Sequence, residues 1–305
     1  MIIALSGGIG GAKLALGLAH ILPAEELLIV ANTGDDFEHL GLTICPDIDT
    51  LTYTLAGLAN PVLGWGRVDE GWAFMESLAA LGGPDWFRLG DRDLALHVLR
   101  SHRLARGESL SAITDDIRRR MGIAPRILPM SDDPVRTRIS TDDGWLDFQD
   151  WFVARRAQPL ARAVAFQGIA TARPQADLLA ALRQGPRAVV ICPSNPFISI
   201  EPILALPGLR DAIMASGAKV IAVSPIIAGQ AVKGPTAQMF QALGIEPSAA
   251  AVAERYGALL HGFILEHGDD ASGIAPRVFH AATMMRDLQD KIALARSVLA
   301  AIEAL

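Results

Sequence analysis

Cysteine is almost missing from this chain of 305 residues, which holds only Cys45 and Cys192. They lie too far apart for a metal or redox spacing, exclude a disulfide framework and suggest a reducing compartment. Positive charge is not in excess either: 27 Lys and Arg face 33 Asp and Glu, a formal net charge of -6. That balance argues against nucleic acid or an anionic membrane as the main partner. No uncharged apolar run reaches the ~18 residues of a membrane span. The opening "MIIALSGGIGG" lacks the basic start of a signal peptide, and glycines interrupt it early. Internal repeats, low-complexity linkers and charge blocks are absent. These absences lead to the expectation of a cytoplasmic protein.

What is present is apolar and punctuated. Hydrophobic residues make up 51% of the chain, enough for a sizeable core. "MIIAL" is a short apolar run ended by Ser6 and glycines, and it reads as a buried parallel strand. Residues 12–22 read as a helix stopped by Pro23, and "LLIVAN" at 27–32 as a second buried strand. This is the opening of an α/β doubly wound, mostly parallel Rossmann-like sheet. From about 66 to 123 three helical patterns follow one another, each ending in glycine. We read a helical segment inserted into a single domain spanning 1–305. "RILPM" reads as a strand, and "VRTRISTDDGWLDFQ" as a hairpin around Asp-Gly. "AVAFQG", "AVVIC" and "KVIAVS" return to strand patterns, with helices expected near 174–184 and 207–216. The tail from Arg286 reads as an amphipathic helix.

The glycine-rich stretch "SGGIGGAK" matches neither common phosphate fingerprint. In G-x-G-x-x-G counted from Gly8, the third position is Lys13. As a P-loop it fails because Ala12 precedes Lys13 and Leu14 stands where magnesium needs Ser or Thr. The physics remains: a glycine turn feeds a helix whose first amides are unpaired, which favours an anion. Gly8, Gly10, Gly11 and Lys13 are therefore candidate phosphate contacts. The competing reading is tight strand–helix packing alone.

Directly after the second strand, at the edge where doubly wound sheets bind ligands, comes "NTGDDFEHLGLTICPDIDT". It holds Asp35, Asp36, Glu38, Asp47, Asp49 and His39. So many acids beside a phosphate call for a cation, and oxygen ligands without thiolates suit magnesium. Asp35, Asp36, Asp47 and Asp49 are the candidate ligands. Each could instead cap a helix or turn, as Asp49 could for "TLTYTLAGL". Asp47 and Asp49 would share a site if extended and diverge in a helix.

Five segments, "GDDFEHLGLTICPDIDTLTYTLAG", "WFRLGDRDLALH", "FQDWFV", "PSNPFISIEPIL" and "VSPIIAGQAVKGP", resemble in order those of the 2-phospho-L-lactate transferase family of deazaflavin coenzyme F-420 biosynthesis. The resemblance runs to about residue 300. It implies transfer of a phosphorylated three-carbon acid from a guanosine-diphosphate-linked donor to the ribityl hydroxyl of the deazaflavin Fo. GMP would leave, magnesium would assist, and the chain would be a homodimer. It also implies that Asp49, of the "PDxDT" motif, and Arg88, of "WFxLGDRD", contact Fo, with Asp49 the catalytic candidate.

Read as chemistry, Asp49 can position the attacking hydroxyl and accept its proton. The Arg88 guanidinium can pair with a carboxylate or phosphate or lie on a ring, or simply pair with Asp85 or Asp91. Ser194 and Asn195, in "CPSNP", and Ser224 and Lys233, beyond "KVIAV", are candidate nucleotide or phosphate contacts. Cys45, Cys192 and Glu201 depart from the family pattern, and Glu201 adds a carboxylate beside the "PSNP" loop. Lactate, enolpyruvate and glycerate differ too little for the sequence to choose between them. The second reading is a non-catalytic regulator of related fold that binds a nucleotide sugar.

Overall fold

The computed structural model describes residues 1–61, 65–231 and 236–305. Its strands are β1 (Ile2–Ser6), β2 (Leu27–Ala31), β3 (Phe37–His39), β4 (Leu42–Ile44), β5 (Arg126–Pro129), β6 (Arg136–Thr141) and β7 (Gly144–Asp147). They continue as β8 (Ala163–Gln167), β9 (Ala188–Ile191), β10 (Lys219–Val223), β11 (Ile226–Ile227), β12 (Gln230–Ala231), β13 (Gly262–Glu266) and β14 (Arg277–Ala281). The helices are α1 (Gly8–Ile21), α2 (Pro46–Leu55), α3 (Ala73–Ala80), α4 (Asp91–Ala105), α5 (Leu110–Arg120) and α6 (Ala176–Arg183). After them come α7 (Glu201–Leu204), α8 (Leu209–Ala215), α9 (Thr236–Ala242), α10 (Ala249–Tyr256) and α11 (Leu288–Ala304).

Seven strands form the central sheet in the order β14-β13-β10-β9-β1-β2-β5, all pairs parallel. The chain winds from β1 through β2 to β5, then returns to the other side of β1 at β9 and continues outward. The direction of winding reverses between β1 and β9. In a doubly wound sheet the crevice beyond the carboxyl ends of that pair is the ligand site.

The strands are apolar throughout because both faces are covered. Alternate residues divide between two cores. Ile3, Leu5, Val30, Val189 and Val220 face Leu178, Leu209, Ile213 and Val252 of α6, α8 and α10. Ile2, Ala4, Ile29, Val190 and Ile221 face Leu14, Leu18, Ile48, Leu294 and Val298 of α1, α2 and α11. Each fully buried Leu or Ile contributes about 1.5–3 kcal/mol.

Several expectations are met. The Asp-Gly hairpin joins β6 to β7, with Gly144 at φ 101. The segments α3, α4 and α5 fill the helical stretch expected at 66–123. Two elements differ. α1 begins at Gly8, four residues before the expected start, because no local side chain caps it and its first amide is satisfied from elsewhere in the chain. "AVAFQG" is a strand, β8, but it pairs antiparallel with β6 in a separate three-stranded sheet.

Two carboxylates tie α3 to α4 crosswise. Asp91, at the start of α4, accepts from the amides of Ala73 and Phe74 at the start of α3 (3.2 and 3.0 Å). Glu70, just before α3, accepts from the amides of Arg92 and Asp93 (2.8 and 3.0 Å). Each helix start thus receives the acid that its dipole favours. No helix among the described residues is long and apolar enough to cross a membrane.

Candidate active site

The crevice between β1 and β9 is built by close backbone approach. A Cβ on Gly10 would overlap the carbonyl oxygen of Pro193. One on Gly11 would sit 2.6 Å from Ser194 Oγ, and one on Gly7 would sit 2.6 Å from the Ser199 Cβ. Ser194 Oγ donates to the Gly7 carbonyl at 2.7 Å and accepts from the Gly7 amide at 3.4 Å. Here the packing demand on glycine is direct. Gly8 is different: it takes φ +61, and a Cβ there would meet only Ser199 Oγ, at 3.9 Å.

Asp47 reaches the same point. Pro46 opens α2 at its first position, where a missing amide costs nothing. "PDIDT" is therefore helical, and Asp47 and Asp49 diverge. Asp47 Oδ1 accepts from the Gly8 amide at 2.6 Å, and Oδ2 accepts from Asn32 Nδ2 at 2.9 Å. The first amide of α1 thus already holds an anion from within the chain. Asp49, which lies inside α2 and does not cap it, turns the other way. Both of its oxygens accept from the Arg100 guanidinium of α4, Oδ2 from Nη1 at 3.1 Å and Oδ1 from Nη2. Arg100 is 1% exposed and Asp49 5%.

Burial dominates the electrostatics around these acids. It pushes the Asp36 carboxyl up to about 7, against the pull of Arg136. It pushes Asp47 up to about 6, with Asn32 and the Gly8 amide opposing. Asp35 is raised well above the usual carboxylate range by burial and by repulsion from Asp47 and Asp36. Asp36 Oδ1, Ser6 Oγ and Thr33 Oγ1 are buried without a hydrogen-bond partner, and all three lie on segments at the carboxyl ends of β1 and β2. Buried polar atoms of that kind are ordinarily satisfied by a ligand, an ion or water.

The other expected residues take specific places. Lys13 Nζ donates to the Met285 carbonyl at 2.7 Å. Asn195 Oδ1 accepts from the amides of Phe197 and Ile198 and so starts the helical turn Pro196–Ile200. Ser224 Oγ bridges the amide and carbonyl of Ile226 at the end of β10. Arg88 lies over the Trp72 ring, 4.0 Å from its centroid, the ring-stacking option among those open to it. Lys233 lies outside the described residues. Glu201 pairs with Arg210 and Arg255, at 3.2 and 4.0 Å. His39 is buried edge-on to Trp86 and Phe87, and burial lowers its pKa.

Sequence reasoning missed Arg100, Asn32, His97 and Asp93. The available signal was spacing: Asp93, His97 and Arg100 recur at i, i+4 and i+7 along one face of α4. Such a stripe looks the same as a solvated helix face until its partner is known.

A family model described as 2-phospho-L-lactate transferase CofD matches residues 2–286. A phosphoenolpyruvate transferase of Streptomyces griseus is 41% identical, covering 98% of this chain and 97% of that protein. One of Thermobifida fusca is 43% identical over 90% and 88%. A crystal structure of a UPF0052 family member from Bacillus halodurans superposes with a TM-score of 0.65 at 15% identity, covering 98% of both chains, and so shares the fold. The family description, its extent and these relatives agree with the crevice and the five segments: the chain belongs to the 2-phospho-L-lactate transferase CofD family.

Proposed function

We propose that this chain transfers a phosphoenolpyruvyl group, or a close three-carbon analogue, from a guanosine-diphosphate-linked donor to the terminal ribityl hydroxyl of Fo. The names of the curated relatives favour enolpyruvate over lactate as the three-carbon acid. The observation that carries the reading is the crevice itself. At the sheet's reversal point a glycine-lined edge adjoins the buried Asp47 carboxylate, and Asp49, two residues further along the same helix, is fixed by Arg100.

In this reading the ribityl oxygen attacks the phosphorus that bears the three-carbon acid. The bond from that phosphorus to GMP breaks, and GMP leaves with the electron pair. Asp49 orients the hydroxyl and accepts its proton; a carboxylate oxygen held by one guanidinium N–H keeps a second lone pair. Arg88, stacked on Trp72, presents a cation near the ring system of the acceptor. Gly8 and the Ser194–Asn195 loop border the donor's diphosphate.

Magnesium fits the residues present. Asp36 Oδ1 is buried and unpartnered, and Asp35 and Asp47 are buried carboxylates that repel one another. No three His, Cys, Asp or Glu side chains form a ready cage among the described residues. Magnesium commonly takes one or two carboxylates and completes its shell with water and substrate phosphate. Asp36, with Asp35 or Asp47, would hold it. Bound there, it would neutralise charge on the diphosphate.

The test is purified protein with Fo, magnesium and each guanylated donor in turn, read by mass spectrometry. The product mass should appear first with the enolpyruvyl donor; no product from any donor would overturn the reading. Chelation with EDTA should stop turnover and added magnesium restore it. Full turnover in chelator would remove the metal from the scheme and leave the transfer standing.

A further inference from the structure

Between helices α2 and α4, beside an apolar cluster that includes Tyr53 and Leu96, runs a chain of buried polar side chains. Asp49 and Tyr53, one turn apart on α2, face Asp93, His97 and Arg100 on α4. The Tyr53 hydroxyl donates to Asp93 Oδ1. Asp93 Oδ2 lies 3.2 Å from His97 Nε2. His97 Nδ1 lies 3.5 Å from Arg100 Nη1 and 3.7 Å from Asp49 Oδ2. Arg100 closes the chain on Asp49 through both nitrogens. His97 is 1% exposed. A buried polar seam is an expensive way to join two helices, since apolar residues of similar volume often do as well or better. Its arrangement is directional: the contacts run from Tyr53 through Asp93, His97 and Arg100 to the Asp49 carboxylate.

We infer that His97 is a positioning residue for the acceptor site: braced by Asp93 and Tyr53, its ring holds Arg100 in the orientation that fixes Asp49 toward the acceptor hydroxyl. The contacts support one arrangement of the ring. Arg100 Nη1 can only donate, so Nδ1 serves as its acceptor, and Nε2, which makes no aligned hydrogen bond, carries its proton 3.2 Å from the Asp93 carboxylate. A carboxylate behind an imidazole sets its tautomer and angle in the same way around metal ligands. Arg100 Nη1 already shares itself between Asp49, His97 and the Thr43 carbonyl, at 3.1, 3.5 and 3.4 Å, and without the ring it would shift toward Thr43. Asp49 would then keep its charge partner and lose its aim.

This inference rests on the acceptor-site reading of Asp49, so the test separates the two. Acceptor and donor are varied independently in the Fo transfer assay for His97→Leu, His97→Gln, Asp49→Asn and the double variant Asp49→Asn/His97→Leu. His97→Leu should lower kcat about tenfold and leave the donor KM within twofold. His97→Gln, which keeps one donor and one acceptor, should recover most of the loss. In the double variant His97→Leu should add less than twofold to the effect of Asp49→Asn, because residues acting through one group are not additive. An unchanged kcat in a folded His97→Leu protein, no recovery in His97→Gln, or losses that multiply in the double variant, would overturn the positioning role. Normal acceptor kinetics in Asp49→Asn would overturn the acceptor-site reading, and the inference with it. If His97→Leu does not fold, His97→Ala replaces it in every arm, with the same roughly tenfold loss of kcat expected and the same recovery in His97→Gln.

Discussion

Arg100→Leu should unfold at a markedly lower temperature than the parent and lose transfer activity. The guanidinium is buried against Asp49, and the two form a bidentate pair with almost no access to water. Breaking a buried pair from one side strands the other charge, and typical costs are about 3–5 kcal/mol. The stranded group here is Asp49, within α2, with Asp36 adding negative charge nearby. Arg100→Lys keeps the charge and loses the fork, so it should fall between the parent and Leu. The informative variant is the double one, Asp49→Asn/Arg100→Leu. Removing both charges removes the desolvation cost as well, so stability should return most of the way while activity stays absent. Thermal denaturation followed by circular dichroism, beside the transfer assay, reads both quantities. If Arg100→Leu melts within a degree of the parent, the pair is not the buried anchor described above.

Gly10→Val should damage the fold itself as well as donor binding. Any Cβ at this position overlaps the Pro193 carbonyl, which is backbone and cannot rotate away. α1 would have to retreat from the 193–199 segment, and both sheet faces would feel it through Leu14 and Phe197. Overpacking costs about 1–3 kcal/mol and more where backbone must move. Gly8→Ala is the useful contrast. Space is open around its Cβ, so only the positive φ is penalised, by about 1–2 kcal/mol. Denaturant unfolding should therefore rank parent, Gly8→Ala and Gly10→Val in decreasing stability. Equal midpoints for the two variants would contradict the close approach at Pro193.

Much of the fold was legible because its signals are local. β1, β2, β9 and β10 are apolar runs bounded by turn residues, and the Asp-Gly hairpin carries its own turn chemistry. The helical segment around α3 to α5 has the periodicity of helices and the glycines that end them. What stayed hidden depends on distant partners. The start of α1 is set by a carboxylate 39 positions away, at Asp47. β8 has the pattern of a core strand and joins a side sheet, because pairing is chosen by neighbours that the run itself does not encode. The site divides in the same way. The acidic loop and the glycine turn announced themselves by composition. Arg100 did not, because a guanidinium on an amphipathic helix looks solvated until Asp49, 51 positions earlier, is placed against it. Asp47 and Asp49 were linked in sequence and are separated in space by one structural fact, that Pro46 starts a helix.

The packing of α1 against α11 has a consequence for synthesis. Gly17 lets the backbone of the first helix touch the Lys291 carbonyl of the last, and Leu14 and Leu18 share a core with Leu294 and Val298. The order in which a ribosome delivers these parts is the reverse of what the packing needs. At ordinary elongation rates roughly 15–60 s separate the emergence of α1 from that of α11. During that interval the apolar face of α1 stands uncovered, and until residues 188–191 emerge β1 also lacks β9 on its open side. Ribosome-bound chains halted before Leu288 should exchange their α1 amides rapidly in hydrogen-exchange mass spectrometry, and the full chain slowly. The apolar face of α1 therefore stays uncovered until nearly all of the sequence has been made.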